Sequence, residues 1–373
     1  MSENPGNSRI YSLDVFRGAT IAGMILVNNP GSWSAIYPPL EHAEWNGLTP
    51  TDLIFPFFLF IVGVSISIAL GKRVKQKSKR DVYIKIVRRT LLIFFIGLFL
   101  NAFPYFEMGT LRIPGVLQRI AVCYLITSLI FLHTNWKQQG IIAGALLIGY
   151  WILMTTVSVP GCAVTSISDK ACNIAAYVDR MVFGANHIWR QAKVYDPEGL
   201  LSTIPAVVTT LSGVLTGTWL KTEKSGYEKA GGMFFGGVVL LAVGWAWSFW
   251  FPLNKALWTS SYVLYTSGLA LFFLGFCYWV NDLKGYKKWA KPLDVFGVNA
   301  LALYIGSWIM ASLLELIPAG GGKEAISLKQ WFFNGLLTIA EPINASLIFA
   351  LLFIGVWLGI LWVLYAKKIY IKV

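Results

Sequence analysis

Ten apolar runs of about twenty residues constrain the fold of this chain more than any other feature of its sequence. Such a run crosses the hydrocarbon layer as a helix, because each residue adds about 1.5 Å and every backbone N–H group is bonded within the helix. With 56% hydrophobic and 13% charged residues, the chain is too apolar for a soluble globule of its length. We therefore predict an all-α, polytopic integral membrane protein with about ten transmembrane helices. The predicted spans are 13–30, 52–70, 87–103, 115–132, 140–158, 200–220, 231–251, 261–280, 293–316 and 343–365.

Basic residues are unequally divided between the two sides of these spans. If the N-terminus is cytoplasmic, 21 Lys and Arg residues lie on the cytoplasmic side and 8 on the other side. This excess is the positive-inside signal, so we expect both termini in the cytoplasm. The predicted outer loops are then 31–51, 159–199 and 317–342. No cleavage-site pattern follows the N-terminal residues, and the first span is expected to remain in the mature protein.

The formal net charge of +13 raises the question of a nucleic-acid partner. The densest basic run, at 72–89, lies directly between two predicted spans, where topology alone explains it. Basic clusters beside a membrane meet anionic lipid first, so membrane lipid is an expected partner and nucleic acid is not. A role for this run in holding a phosphorylated cofactor stays open.

The predicted outer loop 31–51 contains an imidazole between two carboxylates. His42 is flanked by Glu41 and Glu44, and Trp and Tyr residues lie on both sides. A simple connection needs only a few polar residues with turn chemistry, so this loop is a candidate wall of a reaction site. The alternative is an anchor in the aromatic belt of the membrane interface. The sequence has no His pair at metal-ligand spacing and no Cys cluster, so no metal site is predicted.

Asp52 has two interpretations. Thr49 is a good N-cap, Pro50 suits the first helical position, and Asp52 falls three residues after the cap. This spacing is typical of a capping box, in which the carboxylate satisfies free backbone N–H groups. Helix N-termini also attract developing negative charge, so a catalytic role stays open beside the structural one.

Polar residues inside predicted spans usually face a cavity or a partner, because they are costly in lipid. Asp14 and Arg17 lie on one face near the cytoplasmic end of the first span, where they could pair. Asn28 and Asn29 end that span roughly 21 Å away, on the outer side. Isolated buried amides such as Asn299 are expected to form hydrogen bonds between helices.

The four cysteines fall into two pairs. Cys162 and Cys172 lie in the predicted outer loop 159–199, where an oxidising compartment would let them form a short disulfide. Two free thiols are the alternative. Cys123 and Cys277 lie inside predicted spans and are expected to be inert packing residues.

Three separated segments resemble the membrane catalytic domain of the heparan-alpha-glucosaminide N-acetyltransferase family. They are SLDVFRGATIAGMILVNNPG at 12–31, HAEWNGLTPTDLIFPFFLFIVGVSI at 42–66 and LRIPGVLQRIAVCY at 111–124. The resemblance is densest over 10–125 and extends more loosely to PLDVFGVNALALYI at 292–305. It implies a single transmembrane acyltransferase domain over 1–373. Members of that family move an acetyl group from cytosolic acetyl-CoA to the amine of a terminal glucosamine across the membrane.

Carried over residue by residue, the resemblance assigns catalytic roles to His42, Asn28 and Asp52. It implies acetyl-CoA as co-substrate, an amino-sugar or glycan acceptor, and a multi-pass location in the bacterial inner membrane. The animal enzymes also carry a lumenal domain ahead of the first catalytic span. We see no counterpart of it before the first predicted span, and we therefore do not expect recognition of a long heparan-like polymer. The oligomeric state is left open, a homodimer included.

The residues are compatible with this chemistry. His42 could remove the amine proton as a general base, with Glu41, Glu44 or Asp52 orienting the ring. Alternatively, His42 could accept the acetyl group and pass it on. Asn28 could donate a hydrogen bond to the thioester or to the tetrahedral oxyanion.

The phosphate end of acetyl-CoA is expected at the cytoplasmic side, where the cofactor exists. The candidate contacts are Arg17, together with its neighbour Asp14, and Lys284 and Lys288. An inner-membrane amino-sugar permease is the alternative function. Such a carrier often has discontinuous helices, which the sequence does not clearly display.

Overall fold

A computed structural model of the chain describes residues 10–73, 76, 78–320 and 325–371. Within these ranges the chain forms thirteen α-helices and one two-stranded antiparallel sheet, so the predicted all-α class is confirmed. Arg9, Lys75, Lys77, Lys323 and Lys372, which entered the charge count, lie outside the described residues. The strands are β1 (Pro318–Ala319) and β2 (Ile326–Ser327). The helices are α1 (Tyr11–Asn28), α2 (Ile54–Arg73), α3 (Lys79–Ala102), α4 (Val116–His133), α5 (Trp136–Thr156), α6 (Ile174–Phe183), α7 (Thr203–Leu220), α8 (Gly226–Trp247), α9 (Ser260–Cys277), α10 (Lys291–Val298), α11 (Ala300–Leu316), α12 (Leu328–Leu337) and α13 (Pro342–Ala366).

Seven described helices are long and apolar enough to cross a membrane, and up to eight if the bent pair α10 and α11 forms one span. The chain is therefore a multi-pass membrane protein. Helices α1 and α3 are not among the seven, because α1 carries Asp14 and Arg17 and the first half of α3 is basic. The total of about ten spans and the cytoplasmic position of both termini stay predictions. The seven are Pro50–Gly71, Val116–His133, Trp136–Thr156, Thr203–Leu220, Gly226–Trp247, Ser260–Leu283 and Pro342–Ala366.

The predicted span 293–316 consists of two helices. Helices α10 and α11 meet at an angle of 82°, and Asn299 lies at the break. The Asn299 side chain donates to the Ile369 carbonyl at 3.2 Å and accepts from the Ile371 N–H at 2.9 Å. The expectation of a bond between helices was wrong at this residue, because its amide binds the backbone that follows α13.

The chain divides into two compact units. Of the described residues, those within 10–37, 223–237 and 270–371 form the first unit, and those within 38–222 and 238–269 form the second. Helices α8 and α9 each contribute residues to both units. The single acyltransferase domain over 1–373 stays a prediction.

In the first unit, α1 packs against α10, α11 and α13. Its buried side includes Phe16, whose ring stacks on that of Phe273 with centroids 5.2 Å apart. The Asp282 carboxylate accepts from the backbone N–H groups of Tyr11 and Ser12, at 3.2 and 3.0 Å. These two N–H groups have no partner within the helix, so Asp282 stabilises the start of α1 from another part of the chain.

In the second unit, α2 and α7 form the most extensive helix pair. A Cβ atom at Gly63 would lie 1.8 Å from the Thr210 carbonyl oxygen, and one at Gly213 would lie 2.0 Å from that of Phe60. The absence of side chains at these two glycines lets the backbones approach, as small residues do in membrane helix pairs. This pairing fixes α2, and Asp52 lies two residues before the start of α2.

Two predicted outer loops contain α-helices. The segment 159–199 contains α6, and Cys162 and Cys172 form the predicted disulfide with their Cα atoms 5.9 Å apart. The segment 317–342 contains β1, β2 and α12. Cys123 and Cys277 are free and buried, as predicted.

Candidate active site

The His42 imidazole is hydrogen-bonded to the Asp52 carboxylate. Their Nδ1 and Oδ1 atoms are 2.7 Å apart. Half of the His42 side chain is exposed, whereas only 1% of the Asp52 side chain is. A carboxylate that is fixed and buried beside a half-exposed imidazole can set the orientation and the tautomer of the ring. The structure therefore brings two of the three predicted catalytic residues together.

The other Asp52 oxygen holds the local backbone. Oδ2 accepts from the N–H groups of Ala43 and Thr49, each at 3.1 Å. The Thr49 hydroxyl also lies 3.1 Å from Oδ2. The capping role predicted for Asp52 is thus confirmed. Oδ2 bonds to the backbone at the helix start, and Oδ1 bonds to the imidazole.

The loop that carries His42 is held by side-chain bonds to its own backbone. The Thr49 hydroxyl donates to the Glu41 carbonyl at 2.6 Å, and the Thr51 hydroxyl donates to the Pro39 carbonyl at 3.2 Å. Glu41 and Glu44 are exposed. In the part of the chain that the structure describes, Asp52 is the carboxylate that orients the ring, and the expectation that Glu41 or Glu44 could do so has no support in the geometry.

Sequence reasoning missed Lys255, which it counted only as a cation of the outer side. The Lys255 Nζ atom lies 3.1 Å from Nδ1 and 3.0 Å from Nε2 of His42. It also lies 3.8 Å from Oδ1 of Asp52. Because 213 residues separate Lys255 from His42, no local spacing in the sequence could relate them. Burial lowers the pKa of Lys255, although Asp52 and Glu198 act in the opposite direction.

A second group of charges in the same unit centres on Arg112. Its guanidinium donates to Asp196 at 2.9 and 2.6 Å and to Glu198 at 2.5 Å. Burial would lower the pKa of Arg112, but the Glu198 and Asp196 carboxylates outweigh it and raise the pKa. Burial would raise the pKa of Glu198, but the Arg112, Arg119 and Lys255 cations together outweigh it and lower the pKa. The ion pairs therefore hold these groups in their charged forms.

Arg119, one turn into α4, is buried. Its Nη2 atom donates to the Gly199 carbonyl at 3.0 Å and also to the Ser202 hydroxyl. The guanidinium lies over the Trp258 ring, 5.2 Å from the ring centre. The Nε and Nη1 atoms have no hydrogen-bond partner among the described residues.

Asn28, the third predicted catalytic residue, belongs to the first unit. It lines a cavity of about 240 Å³ together with Trp33, Trp308, Glu315 and Lys329. The Glu315 carboxylate and the Lys329 ammonium form an ion pair at 3.0 Å. The cavity is mainly apolar with a few polar groups, as small-molecule sites usually are.

The four predicted cofactor contacts also lie in the first unit. Arg17 and Asp14 form the predicted ion pair at 2.7 Å. Lys284 is exposed and lies over the Trp279 and Tyr227 rings, 5.7 and 6.0 Å from their centres. Lys288 is exposed. The structure shows where these charges lie, and their role in cofactor binding stays a prediction.

The other two histidines have structural partners. The Nε2 atom of His133 lies 2.7 Å from the Tyr83 hydroxyl, and Nδ1 of His187 lies 2.8 Å from the Leu111 carbonyl oxygen. In the described residues no group of three or more His, Cys, Asp or Glu side chains could hold a metal ion. Among the three histidines, His42 is the one that contacts a buried carboxylate.

Comparison with known proteins shows that the sequence of this chain is similar to one family. The family model described as "Heparan-alpha-glucosaminide N-acetyltransferase, catalytic" matches residues 9–181. Curated proteins named heparan-alpha-glucosaminide N-acetyltransferase, from Homo sapiens and Mus musculus, are each 29% identical to this chain. The alignments cover 98% of this chain and 60% and 61% of the human and mouse proteins. The chain thus spans about 60% of the length of these relatives. The family match includes His42 and Asp52 but not Lys255.

Proposed function

Because this chain is similar over 98% of its length to heparan-alpha-glucosaminide N-acetyltransferase, we propose that it is a member of that family and an acetyl-CoA-dependent N-acetyltransferase of the membrane. Its acceptor is the amine of a glucosamine-type sugar on the periplasmic side of a bacterial inner membrane, and its donor is cytosolic acetyl-CoA. The single observation that carries this proposal is the bond between Nδ1 of His42 and the buried Asp52 carboxylate. The charge asymmetry of the sequence supports the orientation.

The His42–Asp52 bond determines which ring nitrogen can act. An ionised carboxylate only accepts hydrogen bonds, so the Nδ1 atom of His42 carries a proton. In the neutral ring the lone pair is then on Nε2, which is the atom that takes a proton from the acceptor. A fixed tautomer and orientation are what general-base catalysis needs from an imidazole.

In the direct route, the acceptor amine attacks the thioester carbon while His42 takes the amine proton. The C–S bond breaks, the amide forms, and the proton passes to the departing CoA thiolate. In the alternative route, Nε2 attacks the thioester carbon, the C–S bond breaks, and the CoA thiolate leaves with a proton from the ring. The amine then attacks the acetyl carbon, the bond between that carbon and Nε2 breaks, and the amine proton returns to the ring. The two routes predict different kinetics: intersecting double-reciprocal plots for direct transfer and parallel ones for ping-pong transfer.

The remaining roles rest on residues of the first unit. Asn28 donates its amide N–H to the carbonyl oxygen as negative charge develops on it, a contribution typical of oxyanion donors. Arg17, Lys284 and Lys288 bind the phosphates of acetyl-CoA, because they lie on the predicted cytoplasmic side. Asp14 orients Arg17 through the 2.7 Å ion pair.

The function is tested in inside-out membrane vesicles with glucosamine trapped inside and labelled acetyl-CoA added outside. We expect N-acetylglucosamine to accumulate in the vesicle interior and CoA to appear outside. Vesicles with the His42→Ala protein serve as the control. Release of unmodified glucosamine from the vesicles, with no acetylated product, would contradict the proposal.

An amino-sugar permease is the second candidate, and one observation favours it. The 82° break between α10 and α11 is a discontinuous helix of the kind found at transporter binding sites. A permease moves glucosamine without acetyl-CoA, so the same vesicles separate the two functions. Transport of labelled glucosamine that is independent of acetyl-CoA is the result that identifies a permease.

A further inference from the structure

The segment that carries Lys255 is attached to the loop that carries His42. The Gly47 N–H donates to the Leu253 carbonyl at 2.8 Å, and the Asn254 amide donates to the Asn46 side-chain oxygen at 3.1 Å. Asn254 is buried, and its own side-chain oxygen accepts from the Leu257 N–H at 2.8 Å. These bonds fix the backbone next to Lys255 relative to the His42 loop. The approach of Lys255 to the ring is therefore built into the second unit.

The Lys255 ammonium lies beside both nitrogens of the His42 ring, at 3.0 and 3.1 Å. The in-plane directions of the two ring nitrogens diverge, and Nδ1 is already bonded to Asp52, so one ammonium cannot hydrogen-bond to both nitrogens. Its positive charge lies close to the ring whichever nitrogen it contacts. The side chain of Lys255 is only 20% exposed, which leaves little water to screen that charge.

Several charged groups lie near His42 and Lys255. Asp52 contacts both His42 and Lys255, and it favours a charged ring. Glu198 and Arg119 also act on Lys255, with opposite signs. Glu41 and Glu44 are exposed neighbours of His42 in the sequence. Among the described contacts of the imidazole, Lys255 is the cation that opposes the Asp52 carboxylate.

We infer that Lys255 is a positioning residue of the proposed site, which keeps the His42 ring neutral and ready to accept a proton while Asp52 orients it. The catalytic purpose of this arrangement rests on the proposed function. A base that already carries a proton cannot take one from the acceptor amine. A carboxylate alone would favour the protonated ring, and the nearby ammonium opposes that effect.

The inference is tested by carbethoxylation of His42 with diethyl pyrocarbonate, which reacts with neutral imidazole. The extent of modification is followed on the His42 peptide by mass spectrometry as the pH is raised. In Lys255→Met the pH at which half of the His42 is modified should increase by about one unit. A unit charge 3.0 Å away has an effect of that size even at the dielectric constant of water. Lys255→Arg should keep the wild-type profile. Lys193→Met removes an exposed cation elsewhere in the same unit and is the matched control.

In a second variant, the positive charge at position 255 is first removed by substitution and then restored by chemical modification. The described chain has two buried free cysteines and one disulfide, so a cysteine introduced by Lys255→Cys can be alkylated selectively with bromoethylamine. We expect the unmodified Lys255→Cys protein to follow Lys255→Met and the aminoethylated protein to follow the wild type. Size-exclusion elution establishes that each variant is folded.

Acetyl transfer is measured in parallel, with the pH dependence of kcat/KM. The acid-side decline should move to higher pH in Lys255→Met by the same amount as the modification profile. An unchanged modification profile in folded Lys255→Met and Lys255→Cys overturns the role of Lys255, whether or not the protein transfers acetyl. A shifted profile without acetyl transfer in the wild type supports the charge effect and contradicts the proposed function.

Discussion

The Nδ1 atom of His42 lies 2.7 Å from Oδ1 of Asp52, while Oδ2 of the same carboxylate accepts from two backbone N–H groups. One side chain therefore fixes both the start of a membrane helix and the ring of the proposed base. This arrangement makes the loop before α2 a rigid support for the imidazole. It also allows the structural and chemical roles of Asp52 to be separated by substitution.

The Asp52→Asn substitution tests this division. We expect kcat to fall by at least about 100-fold, because the neutral amide no longer stabilises the ring orientation and the charge that develops on it. Thr49→Val is the matched control, since it removes hydroxyl bonds to Glu41 and Asp52 but leaves the His42 contact. That variant should lose about 1 kcal/mol of stability and keep kcat within roughly threefold. Equal losses of kcat in both variants would mean that the capping role accounts for the effect.

The Cys162–Cys172 disulfide should stabilise the segment that contains α6. The two residues are 10 apart in the sequence, and closing a loop of that length contributes about 2 to 3 kcal/mol. The double change Cys162→Ser and Cys172→Ser should lower the melting temperature, and reductant should do the same to the wild type. Reductant should leave the double variant unchanged. A wild-type mass that does not respond to reductant before alkylation would contradict the bond.

The buried carboxyl of Asp179 should make the stability of the protein depend on pH. Burial raises the pKa of this carboxyl from 3.8 to about 6. The folded protein therefore binds the proton more tightly than the unfolded chain does. The resulting stabilisation is complete below about pH 4 and is lost as the pH rises through about 6. Two pKa units correspond to about 3 kcal/mol.

Thermal unfolding in detergent between pH 4 and pH 7.5 measures this effect. The wild-type melting temperature should fall across that range more steeply than that of Asp179→Asn, which cannot ionise. The asparagine oxygen can still accept from the Leu200 N–H, whose bond to Asp179 is 2.8 Å long. Parallel curves for the two proteins would show that Asp179 does not titrate in this range.

The predicted cofactor contacts are tested by Arg17→Gln, Lys284→Gln and Lys288→Gln. A lost hydrogen bond to a phosphate should increase KM for acetyl-CoA by roughly tenfold and leave KM for the acceptor unchanged. Because Arg17 pairs with Asp14 at 2.7 Å, Asp14→Asn distinguishes loss of the cation from loss of the pair. Lys193→Gln, on the predicted outer side, is the control. An unchanged KM in all three variants would remove these residues from the cofactor site.

The sequence was sufficient for the parts of the site that depend on local spacing. Thr49, Pro50 and Asp52 lie within one turn, so capping rules predicted the start of the helix and the carboxylate that belongs to it. Cys162 and Cys172 were close enough in the sequence for a disulfide to be predicted from their shared loop. Family resemblance then selected His42 as the predicted catalytic residue.

The parts that depend on distant contacts could not be predicted in this way. Lys255 is 213 residues from His42, and a lysine in an outer loop has no pattern that distinguishes it from a surface charge. The break between α10 and α11 lies in a continuous apolar run, where hydropathy alone predicts one span. The Asn299 amide lies at this break and bonds to the backbone of Ile369 and Ile371. Those residues are about seventy positions further along the chain, so no local pattern predicts the bonds.

The most direct test of the central claim is a comparison of wild type and His42→Ala in single-turnover transfer from acetyl-CoA to glucosamine, with acetyl-CoA binding measured on the same preparations. His133→Ala, which loses a contact with Tyr83 in the same unit, is the control for removing a histidine. We predict that His42→Ala binds acetyl-CoA as the wild type does and forms no acetylated sugar, while His133→Ala retains transfer. Undiminished acetylation by folded His42→Ala would contradict the account.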